Sequence, residues 1–200
     1  MQAKNMDYAI FLPSISGFYQ EQVSNQQQDP NWIPQNRIPA EFELGVEGLN
    51  FLNKEQSYFY YPDALYSAGH AQLNTQKSLT EESMIQQRDR KNTFILGDSG
   101  GFQIGKGVIN FDWQHFWEKQ GDAGYVGKAD KTRMAILNWL EFTADYSMVL
   151  DIPTWAAAPI NQERTGLKTF QDCLSGTLFN NDFFLRNRRQ DQVPKRSARR

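Results

Sequence analysis

A single cysteine, Cys173, stands in 200 residues, so no internal disulfide can form and the chain suits a reducing compartment, the cytoplasm. Two histidines, His70 and His115, lie far apart in sequence; one Cys and two separated His do not make an ordinary structural zinc site. Long apolar runs are also missing, which excludes a membrane span. The short apolar stretch at residues 8–12 ends at Pro13, too early for a secretory signal. Positive charge is scarce until the C-terminal end. Arg186, Arg188, Arg189, Lys195, Arg196, Arg199 and Arg200 face Asp191 alone in the last stretch, a surplus of six cations, so a net charge of −2 leaves about −8 for everything before it. A body of that sign is poorly equipped to hold phosphates.

What is present argues for one packed domain. Hydrophobic residues make up 40% and aromatic residues 14% of the chain, enough for a sizeable core. Residues 1–56 read as an irregular, loop-rich segment: residues 8–12 could form a strand, but Gln26-Gln27-Gln28, Asp29-Pro30, Pro34 and Pro39 punctuate the rest. The cluster Tyr58-Phe59-Tyr60-Tyr61 is read as packing under a loop, with stacking on exposed nucleotides as the lesser alternative. Residues 57–185 form the main domain, and 186–200 a basic tail.

Within the main domain, Ser78-Leu79-Thr80-Glu81 has capping-box spacing and predicts a helix running to about Arg88. An apolar strand follows at 93–97. Asp112 is expected to cap a turn carrying Trp113, Phe116 and Trp117, and residues 121–127 a loop. Asp130 is expected to cap a helix to about Ala144, with Met134, Leu137, Leu140 and Ala144 on its apolar stripe. A strand at 146–150 comes next. Strand, helix, strand in that order predicts a right-handed crossover between parallel strands, which brings Asp98 and Asp151 to the same rim. A further helix from Asn161 would carry Leu167, Phe170, Leu174 and Leu178 on its core stripe, weakened by Gly166. Cys173 beside that stripe reads as a small buried hydrophobe. The fold class expected is α/β, with three or four strands.

The most informative residues are Asp98-Ser99-Gly100-Gly101-Phe102-Gln103, directly after the apolar run Phe94-Ile95-Leu96-Gly97. They put a carboxylate at a strand exit, two glycines whose backbone a flat ligand can approach closely, and a ring to cover its face. That is a pocket for a planar heterocycle. Gly100 to Lys106 also fits the phosphate-loop spacing G-x-x-x-x-G-K, but Gly107 stands where a magnesium-binding hydroxyl is needed. Nucleotide hydrolysis is therefore disfavoured, and Lys106 reads as a solvent-facing or phosphate-backbone contact. His115, beside Phe116 and Trp117, reads as a packed helix residue; His70 could line the rim, but nothing in sequence pairs it with a carboxylate.

Asp98-Ser99-Gly100-Gly101-Phe102-Gln103 after an apolar strand resembles the signature of the tRNA-guanine transglycosylases, which exchange guanine in nucleic acid for a 7-deazaguanine such as preQ0, preQ1 or queuine. Tyr146-Ser147-Met148-Val149-Leu150-Asp151 resembles the family's next barrel strand, which ends in an aspartate that reads the base. Ile152-Pro153-Thr154-Trp155 departs from the family's usual continuation, which places the chain nearest the phage-encoded members that modify DNA. The resemblance covers about residues 93–178. It implies that Asp98 is the proton acceptor near the ribose, that Ser99, Gly100, Gly101 and Phe102 line the base pocket, and that Asp151 accepts two parallel N–H bonds from the guanine edge.

The same resemblance implies a TIM barrel, of which this chain would be the N-terminal half, since a complete barrel takes roughly 250 residues. The nucleophile and a zinc site are then expected in a missing C-terminal half, with no metal or cofactor bound here. The tail is either a frameshifted terminus or a solvated basic arm, the first being favoured because no apolar periodicity survives beyond Leu185. The expected partners are DNA or tRNA, the deazapurine base, and a partner chain or a second copy. A non-catalytic base- or nucleic-acid-binding module is the alternative. Residues 1–200 alone are not expected to turn over.

Overall fold

The strands are short and all point one way. In the computed structural model, which describes residues 9–189, β1 (Ser14–Ile15), β2 (Asp63–Ser67), β3 (Phe94–Asp98) and β4 (Tyr146–Ser147) pair in parallel in the order β1-β2-β3-β4. Seven α-helices accompany this sheet among the described residues, so the fold is α/β. Leu65 stands opposite Ser14 and Leu96, Leu96 opposite Tyr146, and Ser67 opposite Asp98.

The alternation of side chains along the strands separates two faces. Ala64, Tyr66, Ile95 and Gly97 are buried on one of them. There the Tyr66 ring meets Trp139 at 5.6 Å, and Gly97 makes room for Leu140 and Ala144, whose side chains would lie 2.8 and 2.7 Å from a β-carbon. Leu65, Phe94, Leu96 and Asp98, on the other face, are only half-buried. Parallel sheets are normally covered on both sides; this one is packed by helices on one.

Of the segment expected to be irregular, the described residues 9–56 are more regular than the sequence predicts. Helix α1 (Gly17–Gln28) starts where the Ser16 hydroxyl accepts from Tyr19 N at 3.1 Å and ends at Asp29, before Pro30. Glutamine is a good helix former, so the polar run is compatible with a helix once Ser16 caps it. Residues 9–13 hold no strand; Tyr8 lies outside the described residues. The aromatic cluster packs only in part: Tyr61 lies half-buried against the core, Phe59 stacks on buried Phe51 at 5.8 Å and Tyr58 meets Phe42 edge-on, but Tyr58 and Phe59 remain exposed.

Asn74, not Ser78, begins the next helix. The Asn74 side chain accepts from Gln76 N and Lys77 N at the start of α2 (Thr75–Glu81), and α3 (Ser83–Gln86) follows. Ser78 is buried and donates its hydroxyl to the Glu82 carboxylate. That carboxylate also accepts from Tyr66 Oη at 2.9 Å, Gln72 N at 2.8 Å and Trp139 Nε1 at 3.3 Å. A buried charge is tolerable only with such partners, and here they tie β2, α2 and α5 (Lys128–Thr143) to one point.

Helix α5 starts after Gly127, whose φ of 63° is left-handed, and Asp130 lies in its first turn rather than at its cap. Asp130 pairs instead with the fully buried Arg133 at 2.7 Å. The Arg133 guanidinium also donates to Asn180 Oδ1 and to the Phe116 carbonyl, each at 2.7 Å, between the rings of Phe111, Phe116 and Phe179. Burial lowers its pKa and the Asp130 hydrogen bond offsets part of that fall.

The expected helix from Asn161 is two helices. Short α6 (Pro159–Thr165) closes at Gly166, φ 70°, and α7 (Phe170–Asn187) restarts with a capping box between Thr169 and Asp172. The restart resets the phase. Phe170, Leu174 and Leu178 are exposed, while Cys173, Gly176, Asn180, Phe183 and Phe184 face the core. The predicted stripe therefore lies on the wrong side, although Leu167 and Cys173 are buried as expected. Strand 146–150 shortens to Tyr146–Ser147. Among the described residues no helix is long and apolar enough to cross a membrane. Arg186 lies on α7 and pairs with Asp182 at 3.0 Å; tail residues Lys195, Arg196, Arg199 and Arg200 lie outside the described residues.

Candidate functional site

The C-terminal ends of β2, β3 and β4 open on one rim, and the residues there constrain one another closely. Asp98, the last residue of β3, accepts through Oδ2 from Ser67 Oγ at 2.6 Å, across the final register pair of β2 and β3. Ser67 Oγ in turn accepts from Gly69 N at 3.1 Å. The Asp98 carboxylate is thus aimed by a hydroxyl that the next turn fixes. Ser99 is completely buried, and its hydroxyl donates to the Val149 carbonyl at 2.8 Å. It ties the hexapeptide to the segment leaving β4.

Gly100 has φ 77°, and a β-carbon there would stand 2.9 Å from Gly69 N. Both backbone and space require glycine at this position. Gly101 then opens α4 (Gly101–Lys106) directly against Asp151: a β-carbon would lie 2.5 Å from Asp151 Oδ1 and closer still to the Asp151 carbonyl. The aspartate itself sits in a tight turn, with its N–H donating to Val149 O at 2.9 Å, and is held from behind by Ile152 N donating to Thr177 Oγ1 at 2.9 Å. Burial is the main cause pushing the Asp151 carboxyl above its ordinary pKa; its own backbone N–H offsets part of the rise and the negative charge of Asp98 adds to it. Two carboxylates in electrostatic contact, one of them resisting ionisation, are a common arrangement where protons or N–H donors are handled.

Phe102 lies on the outward side of α4, 54% exposed. Its ring meets Trp155 edge-to-face at 5.3 Å, and Lys106 Nζ lies over both rings, 5.6 Å from Phe102 and 5.3 Å from Trp155. Trp155, from the turn Thr154–Ala157, packs so tightly on Gly105 that a β-carbon there would be 2.5 Å from the ring. The structure thus brings Asp98, Gly100, Gly101 and Asp151 together at the rim, buries Ser99 beneath them, and sets Phe102 beside them.

Three neighbours escape the sequence reading. Ser67 could not be placed because β2 carries little periodicity. Gln103, the sixth residue of the hexapeptide, packs its amide over Gly69, and its Oε1 is buried without a protein hydrogen-bond partner. Trp155 lies in the segment that departs from the family pattern.

His70 is exposed in the turn after β2, its N–H donating to Ser67 O at 3.0 Å. His115 Nδ1 is 2.8 Å from Asp112 Oδ2 in the turn Trp113–His115, which Asp112 caps as expected. The phosphate-loop spacing fails in structure as well: the helix occupies Gly101–Lys106 and ends at Gly107, whereas a phosphate loop needs a helix beginning there. Among the described residues no three His, Cys, Asp or Glu side chains are grouped to hold a metal ion. No protein-family model, no curated protein and no solved structure matches this chain.

Proposed function

We propose that this chain carries the base-binding half of an enzyme that exchanges guanine for a 7-deazaguanine in DNA or tRNA, built on the first four strands of a β/α barrel. The observation that supports this most is the apposition of Gly101 and Asp151, with the Asp98 carboxylate held beside them by Ser67. Gly100 and Gly101 are buried against Gly69 and Asp151, so a planar base would sit outside them, beside the exposed Phe102 ring, and present its edge to Asp151. Two carboxylate oxygens match two parallel N–H donors, which guanine and preQ1 offer and adenine does not. Asp98, one strand away, is placed to accept a proton as the base leaves.

The strand order supports the barrel part of this reading. Consecutive parallel strands joined by right-handed crossovers wind their helices onto one face, and the half-covered opposite face of β2 and β3 is the one that a closed barrel fills with side chains. In this reading the group that attacks ribose C1′ comes from a later strand. The open sheet favours a second reading of the same site, a base-binding module completed by a partner chain.

Calorimetric titration of the chain with preQ1, guanine and adenine tests the proposal. The first two should bind and adenine should not. The Asp98→Asn variant should weaken base binding severalfold and abolish labelled-guanine exchange in any assembly that supports it. Equal binding of adenine, or full exchange by Asp98→Asn, would remove the proposal.

A further inference from the structure

A groove of about 710 Å³ opens beside the rim, lined on its polar side by Asn110, Lys128, Lys131, Thr132, Glu163 and Arg164 and floored by Phe111 and Trp113. Every one of these segments follows the C-terminal end of a strand. Residues 107–114 belong to the excursion after β3, Lys128 to Thr132 open the helix that returns to β4, and α6 follows β4. The groove therefore faces the same side as Asp98 and Asp151. Gly107 at the end of α4 forms part of its wall, and α4 begins at Gly101 against Asp151. Six helical residues at 1.5 Å each put the groove about 9 Å from the carboxylates, about three nucleotides of a stacked strand at ~3.4 Å per nucleotide.

The charge there runs against the rest of the chain. Residues 9–189 hold 16 Lys and Arg against 21 Asp and Glu. In the groove Lys128, Lys131 and Arg164 face two carboxylates, Glu163 and Asp112, and Asp112 already engages His115. Lys106, one residue before the groove wall, adds a fourth cation over the exposed ring of Phe102 and the half-buried ring of Trp155. Cations spaced along a channel beside aromatic faces are what a nucleic-acid strand requires, phosphates on the former and bases on the latter.

We infer that this groove holds the phosphodiester backbone next to the base presented at the rim. The inference rests on the proposed base-exchange reading for what sits at Asp151, but the groove's affinity for phosphates is measured separately from it. Lys128 and Lys131 contact the phosphates, Arg164 braces the wall through Gly105 O, and the Phe102–Trp155–Lys106 cluster takes the intervening base.

Anisotropy titration of a fluorescent oligonucleotide of about a dozen nucleotides, as DNA and as RNA, tests this with the full chain, K128E/K131E, K128Q/K131Q and K91E. Lys91 precedes β3 and so lies at the opposite end of the sheet. Lys128 and Lys131 are exposed, and thermal melts verify that their variants fold. K128E/K131E should bind about tenfold or more weakly at low salt, and its log K against log salt slope should be shallower by about 1.4, two single-strand phosphate contacts at ~0.7 each. K128Q/K131Q should fall between, and K91E should match the parent chain. Whichever nucleic acid shows the larger loss identifies the preferred backbone. No binding of either oligonucleotide by the parent chain, an unchanged K128E/K131E, or an equal loss in K91E overturns the inference. PreQ1 titration of the same variants separates the two readings: a groove-dependent oligonucleotide with no preQ1 binding removes the base site and leaves the groove.

Discussion

Gly101 and Asp151 leave no room for a β-carbon between them: one built on Gly101 would lie 2.5 Å from Asp151 Oδ1. The glycine is thus part of how the aspartate is placed, because any other residue pushes the β4 exit away from β3. Gly101→Ala should cost about 1–3 kcal/mol of stability, as overpacking does, and weaken preQ1 binding by roughly tenfold or more. Urea denaturation and calorimetry on one sample check both. Gly101→Ala with parent stability and affinity would mean that the Asp151 position is not critical.

Asp151→Asn should separate function from stability. An acid whose folded pKa is raised contributes stability that is fully present below its unfolded value and is lost as pH rises through the raised value. Partial loss of hydration at the rim and the charge of Asp98 raise the Asp151 carboxyl although the residue as a whole is exposed, so its ionisation opposes folding only weakly. Asn carries no charge at any pH. The variant should therefore melt at or above the parent temperature at pH 8, with the gap narrowing towards pH 4. Base affinity should fall about tenfold, since one acceptor becomes a donor facing a donor, a mismatch of about 1–3 kcal/mol. A variant that melts lower at pH 8 than the parent would contradict the electrostatic account.

Ser67→Ala should act through Asp98. The hydroxyl that donates to Asp98 Oδ2 at 2.6 Å is lost, leaving the carboxylate free to swing. Base binding should drop severalfold and stability by about 1 kcal/mol, the usual scale for one hydrogen bond. Ser67→Thr, which keeps the hydroxyl, should restore binding. An alanine variant with full preQ1 affinity would show that Asp98 needs no such support.

Arg133→Ala should be among the most damaging changes away from the site. It leaves Asp130 without its ion-pair partner and removes the group among four aromatic rings. Breaking a buried pair typically costs about 3–5 kcal/mol. Arg133→Met, which keeps the volume, should cost less while leaving Asp130 with the Tyr125 hydroxyl, which donates to Oδ2 at 2.6 Å, but without a cation. A loss below about 1 kcal/mol for Arg133→Ala in chemical denaturation would contradict this.

The parts of the fold that sequence predicted well are those where packing and periodicity agree. Strand 93–97 is compact, apolar and bounded by charges, and it stands within one residue of its expected position. Helix α5 carries a repeating apolar stripe and was also legible, although its start was assigned to Asp130 because an aspartate commonly caps; here the buried Arg133 claims that carboxylate. Polar α1 was missed because glutamines give no stripe to read, and its N-cap Ser16 is three residues from the expected break at Pro13. In α7 the small residues decide the phase. Gly176 lets the helix approach Phe116 and Ile152, where a β-carbon would be 3.1 and 3.2 Å away, so the larger Phe170, Leu174 and Leu178 turn outward. At the site, the meeting of Asp98, Gly100 and Gly101 with Asp151 is legible because the strand–helix–strand order brings both strand exits to one rim. Ser67 and Trp155 are not, because each acts through a neighbour far away in sequence.

The contact of Trp155 with Phe102 and Gly105 makes the rim optically addressable. Of the five tryptophans, Trp113 and Trp139 are buried in the core and Trp32 and Trp117 lie on other surfaces, whereas Trp155 sits against α4 with an ammonium over its ring. A heterocycle settling beside Asp151 on the exposed Phe102 ring would displace that ammonium or stack near the indole, and either event alters its emission. The chain therefore contains its own fluorophore for occupancy of the site, with Trp155→Phe as the matched blank, and ligand arrival can be followed by stopped flow without a label.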